Sequence, residues 1–174
     1  MKFDWDRSYE ILERTPVVLR TLLDGLDDEW IMNNEGPDTF SPFDVLGHLI
    51  HGEKTDWVVR ARIILESGLA KPFEPWDRFA QFEASKGKTL QQLLDGFAAL
   101  RKENLSWLRS LRLSEDDLEK KGLHPSLGEV SLRNLLATWV VHDLTHIAQL
   151  TRVMAKQYKE VIGPWTEFFR ILDF

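Results

Sequence analysis

Apolar residues recur every three or four positions over four long stretches of this chain, the period of helices with one buried side. The first stretch runs from about Asp4 to Leu26, with Tyr9, Leu12, Val17, Leu19, Leu22 and Leu23 on its apolar side. Pro16 falls inside it, and a residue without an N–H for the helical ladder predicts a bend or break. The second opens at Ser41. There a serine suits the N-cap, Pro42 the first helical position and Asp44 the first turn. It continues to about Glu66, where Ser67-Gly68 ends it. The third opens near Thr89 and reaches about Leu113, with Leu90, Leu93, Leu94, Phe97, Leu100, Leu105 and Leu108 as its buried set. The fourth runs from Ser131 to about Tyr158.

The segments between them carry turn residues. Pro37-Asp38 punctuates the first connection, and Ser114-Glu115-Asp116-Asp117 reads as a short second cap or turn. The segment from Leu69 to Lys88 is too long for a tight helix–helix turn and permits a crossover between non-adjacent helices. Trp76, Phe79 and Phe82 are the residues expected to pin it to the body. Leu123 to Gly128 reads as a loop, and Trp165 to Leu172 as a short terminal helix after the Gly163-Pro164 break. No alternating run competes as a strand. The prediction is an all-α four-helix bundle, one domain over residues 1–174, with a long connection between helices 2 and 3 and a short C-terminal helix.

A length of 174 residues is enough for one sizeable core. The absence of cysteine excludes disulfides, thiolate metal sites and a cysteine nucleophile. A net charge of -6, with no basic patch beyond the short, mixed Glu119-Lys120-Lys121, argues against nucleic acid as a partner. The polar start and the lack of a long apolar run predict a protein outside the membrane, in the cytoplasm. The seven tryptophans read first as core packing.

The chemistry concentrates on histidine. His142 and His146 are four residues apart, and at about 100° per residue they share the apolar stripe of Leu135, Trp139, Leu150 and Val153. His48 projects from the second helix with Val45, Gly52, Val59 and Ile63. Three inward imidazoles from two helices, with a position left for water, is how catalytic zinc-type sites are built. Spacing alone also allows two core histidines that satisfy each other or the backbone. Gly52 either leaves room beside His48 or permits close helix packing. His51 reads as a rim residue or alternative ligand, and His124 as a structural loop residue. His142-Asp143-Leu144-Thr145-His146 differs from the metalloprotease His-Glu-x-x-His, since Asp143 is one methylene shorter and faces about 100° away from His142. Asp143 is better placed to support a ligand or hydrogen-bond within the bundle. Glu53 projects away from His48, which favours a salt bridge with Lys54, Arg60 or a residue of another helix. There is no phosphate-binding glycine loop and no nucleophile elbow.

Asp44-Val45-Leu46-Gly47-His48-Leu49, with Gly52-Glu53 and Trp57, and then Trp139 to Leu150 with its His-x-x-x-His-x-x-Gln, resemble the DinB-like (YfiT-like) superfamily of metal-dependent proteins. The resemblance spans nearly the whole chain, including Arg14-Thr15-Pro16. It implies a four-helix bundle of unusual connectivity holding a divalent metal, zinc or nickel, on three histidines, here His48, His142 and His146. It also implies a homodimer and a small-molecule substrate. The metal would activate water or a low-molecular-weight thiol, for hydrolysis or thiol S-transfer. The competing reading is a non-enzymatic, stress-related metal- or ligand-binding protein.

Overall fold

The computed structural model describes residues 2–173. In chain order its helices are α1 (Trp5–Leu23), α2 (Asp28–Met32), α3 (Pro42–Thr55), α4 (Trp57–Glu66), α5 (Ala80–Ser85), α6 (Leu90–Ser110), α7 (Glu115–Glu119) and α8 (Leu132–Lys156). Strands β1 (Lys121–His124) and β2 (Gly128–Ser131) lie between α7 and α8. The bundle has four arms: α1, the pair α3 and α4, α6, and α8. Ser41, Thr89 and Ser131 start their helices as predicted. Each hydroxyl accepts the N–H three residues on, and the side chain there (Asp44, Gln92, Asn134) returns the bond to the cap's own N–H.

Pro16 does not break α1, which is continuous around it. A proline leaves the carbonyl four residues earlier without its helical donor. That carbonyl belongs to Leu12, and Arg101 of α6 donates to it at 2.7 Å. The orphaned acceptor is thus satisfied by a neighbouring arm. The second arm, predicted as one helix, is interrupted at Asp56 (φ -115, ψ -82). Thr55, Asp56, Trp57, Val58 and Val59 are five consecutive residues of weak helix propensity. The interruption resets the helical wheel, so Val59 is exposed although it was placed beside His48. Val17, also assigned to a buried side, points outward.

The segment read as a loop, Leu123 to Gly128, lies within an antiparallel hairpin of residues 121–131 that pairs Leu123 with Glu129 and His124 with Gly128. Four-residue strands are too short to show alternation. Gly122 also hides the pattern, because a Cβ there would fall 2.7 Å from the Phe73 ring and 2.8 Å from Ile64. The C-terminal helix is two 3-10 turns, Gly163–Phe168 and Arg170–Leu172. The long connection is pinned by buried Phe73, Gln81 and Ser85, while Phe79 and Phe82 are exposed. A Cβ on Gly47 would collide with the Gln81 and Ser85 side chains, so the bare glycine lets α5 close onto α3 one residue before His48.

The buried hydrophobics form two clusters. One gathers Leu12, Trp57, Leu105, Leu108, Leu136 and Trp139; the other Leu19, Leu46, Leu49, Leu94, Phe97 and Leu150. Each arm passes from one cluster to the other through polar residues: Thr15 in α1, Glu53 and Asp56 in the second arm, Arg101 and Asn104 in α6, and His142, Asp143 and His146 in α8. The bundle therefore carries a polar layer across its middle. Among the described residues no helix is long and apolar enough to cross a membrane.

Candidate metal centre

His48 from α3 and His142 and His146 from α8 meet in that layer. Nε2 of His142 lies 3.1 Å from Nε2 of His48 and 3.1 Å from Nε2 of His146. One potential ligand atom from each residue lies within 4.8 Å of the others. A lone imidazole nitrogen offers either one proton or one lone pair, so His142 Nε2 can hydrogen-bond to only one of these neighbours. A cation satisfies all three lone pairs together. Tetrahedral ligation at about 2.0–2.1 Å per nitrogen sets neighbouring nitrogens about 3.3 Å apart, close to the spacing seen here. The residues fit a divalent ion.

The second nitrogens are treated unequally. Nδ1 of His146 lies 2.8 Å from Oε1 of Gln149, while Nδ1 of His48 and His142 are buried with no partner among the described residues. Burial holds His48 down to about 3 and His142 to about 2, with the neighbouring imidazole of His146 adding to both. His146 is also lowered by burial, against the opposing effects of Gln149 and Asp143. All three rings are therefore neutral near pH 7, the state ligation needs. These depressed values set an acid limit on the metal-free fold. Below pH 6.5 the unfolded chain takes up protons that the folded His48 and His142 refuse. Stability accordingly falls as pH drops from 6.5 toward the folded values, by roughly 1 kcal/mol per pH unit for each ring. Urea unfolding in chelator across pH 7 to 5 measures this, and a flat profile contradicts it.

Behind the histidines the polar layer holds a buried ionic cluster. Arg101 directs all five N–H groups at partners: Nε and Nη2 to Glu53 Oε1 (3.0 and 2.7 Å), Nη1 and Nη2 to Asp143 (2.6 and 3.0 Å), and Nη1 to the Leu12 carbonyl. Asn104 donates to Glu53 Oε2 at 2.8 Å and the Trp139 indole donates to Oε1 at 3.2 Å. Asp143 is thus a bundle hydrogen-bonding residue facing Arg101, and Glu53 forms its salt bridge with another helix. Burial raises the Glu53 carboxyl, while Arg101 and Asn104 pull against that rise. The cluster, two carboxylates and one guanidinium, touches all four arms.

The histidines open into a cavity of about 610 Å³ walled by Phe40, Trp76, Asp56, Arg78, Gln149 and the Glu35–Arg152 pair. Its size suits a small molecule. Trp76 stands edge-on to His48 at 5.1 Å and is latched by its indole N–H to Thr55 Oγ1 at 2.8 Å. Asp56 lines the same cavity. Arg60 Nε is 2.8 Å from its Oδ1, off the axis of an aligned hydrogen bond. Burial pushes its carboxyl up to about 6 against the pull of Arg60. Gly52 serves packing: a Cβ would sit 3.2 Å from Trp57 Nε1, and the Trp57 ring lies edge-on to His142 at 4.9 Å. His51 is outside the triad, beside Trp76 at 5.1 Å. His124 is structural, its Nδ1 accepting the N–H groups of Ser126 and Leu127 at 3.1 and 3.2 Å.

A helical bundle with three imidazoles converging in its polar middle defines the class: a helical protein with a histidine site of metal-binding geometry. The family model of the DinB superfamily matches residues 11–150, and the chain belongs to that superfamily. Its structure is similar to that of YfiT from Bacillus subtilis, described as a probable metal-dependent hydrolase with an unusual four-helix bundle topology. The two align with a TM-score of 0.76 at 21% identity, over 94% of this chain and 90% of that one, which supports the shared fold. No curated protein matches the sequence significantly.

Proposed function

We propose that this chain is a divalent-metal-dependent enzyme, with zinc or nickel on His48, His142 and His146, that transfers a low-molecular-weight thiol to a small electrophile. The observation that carries the reading is the convergence of three neutral Nε2 atoms on the wall of an open cavity. An ion held there supplies Lewis-acid chemistry, acidifying a thiol or a water. The chain's own residues do the rest. Trp76 and Phe40 give the cavity apolar walls that limit water around the reacting groups. Asp56 holds a carboxylate able to exchange a proton near neutrality, so it can take the proton that the nucleophile gives up. The Glu35–Arg152 ion pair holds another part of the cavity wall. Hydrolysis is the second reading, favoured by the description of YfiT.

Elemental analysis of the purified protein, paired with two activity probes, tests this. Glutathione or bacillithiol with monobromobimane reports thiol transfer, and p-nitrophenyl acetate reports hydrolysis. About one zinc or nickel per chain, and rates that vanish in chelator and return with metal, are expected. A protein that neither contains nor takes up these metals sinks the metal reading. Metal bound without any rate above the metal-free protein favours a non-enzymatic metal-binding role.

A further inference from the structure

Gln149 lies one turn after His146 on α8, with its Oε1 2.8 Å from His146 Nδ1. A carbonyl oxygen can only accept, so this contact puts the ring's proton on Nδ1 and leaves Nε2 a bare lone pair facing His142. The constraint also runs the other way. A reversed amide would present its NH2 to Nδ1 and drive the ring proton to Nε2, where it would point into the triad. A ligating His146 therefore fixes which end of Gln149 it meets. His48 and His142 have no such partner on Nδ1 among the described residues. The remaining end of Gln149 is an amide NH2 with no partner among the described residues, on a half-buried residue that lines the 610 Å³ cavity.

We propose that Gln149 is a two-ended positioning residue, whose Oε1 locks His146 in the ligating tautomer and whose Nε2 donates a hydrogen bond to a carbonyl- or carboxylate-type oxygen of the substrate. This rests on the metal reading above. The ligand class follows from the donor: two N–H groups on a neutral amide, held beside the histidines, recognise an acceptor oxygen rather than a cation. The arrangement also couples two properties. The bond that orients the ligand histidine orients the substrate contact as well.

Two near-isosteric variants separate the two ends. Gln149→Glu keeps an acceptor for His146 Nδ1 and removes the donor; Gln149→Met removes both. The full chain is titrated with zinc alone, then as the zinc protein with acetohydroxamate, and the His146 tautomer is read from imidazole 15N shifts. Gln149→Met is expected to bind zinc about 10–100-fold more weakly and to lose the Nδ1–H tautomer. Gln149→Glu is expected to hold zinc at least as tightly as wild type but to bind acetohydroxamate about tenfold more weakly, the effect of one lost hydrogen bond. Wild-type zinc affinity and tautomer in Gln149→Met would overturn the locking role. Wild-type acetohydroxamate affinity in Gln149→Glu, or none in the zinc-loaded wild type, would overturn the donor role. A wild-type protein that takes no zinc removes the metal site itself, a distinct result.

Discussion

Arg101→Met is expected to cost about 3–5 kcal/mol of folding stability, because it strands two buried carboxylates without their cation. Arg101 is 1% exposed, Glu53 2% and Asp143 0%, so no solvent takes over when the partner goes. The Leu12 carbonyl, already deprived of its helical donor by Pro16, loses its remaining partner in the same step. The loss has a pH sign. The Glu53 carboxyl already stands above its ordinary value because of burial, and removing Arg101 raises it further. An acid whose folded pKa is raised contributes stability that is present below its unfolded pKa and lost as pH rises. The deficit of Arg101→Met should therefore grow between pH 5 and pH 8 in urea unfolding. Adding Glu53→Gln and Asp143→Asn should restore much of it, since the stranded charges are then gone. Arg101→Lys should restore little, because an ammonium has three donors where five are used. A loss below about 1 kcal/mol at pH 7 would show that the cluster contributes far less than a buried pair of this kind.

This cluster marks where the sequence stopped being legible. The four arms and the three histidines could be read because they rest on local signals: a 3.6-residue period, and caps at Ser41, Thr89 and Ser131 whose partners lie three residues away. Arg101 has no local signature. A clue existed, for it sits four residues after Phe97 and four before Leu105, a charged residue on the buried stripe of its own helix. Pro16 held the other half of the clue, an orphaned carbonyl needing a donor. Neither indicates the other without the fold that brings α1 beside α6. The place of Asp56 in the cavity wall was not legible for a different reason. Wheel arithmetic assumes an unbroken helix, and the irregular backbone at Asp56 invalidates it for every residue beyond. Gly52 allowed two readings, room beside His48 or close packing, and Trp57 from across the break decides for packing.

His142→Ala is expected to weaken metal binding by more than about 100-fold, since outer partners of ligands alone are worth about 10–100-fold. His142 is the strategic ligand. Its Nε2 is the atom 3.1 Å from both of the others, so its loss leaves His48 and His146 without the nitrogen between them. The reference variant is His51→Ala, on the same helix as His48 but outside the triad, and its zinc affinity should match wild type. Metal bound to the folded state alone also stabilises it, by about 3 kcal/mol at a free concentration a hundred times the dissociation constant. Added zinc should therefore raise the melting temperature of wild type and His51→Ala and leave His142→Ala nearly unmoved. Stoichiometric zinc retained by His142→Ala would remove the three-histidine site. An equal loss in His51→Ala would move the site toward the rim of the cavity. The comparison separates the two because each variant deletes one imidazole in the neighbourhood of His48, and only His142→Ala deletes a nitrogen 3.1 Å from the other two.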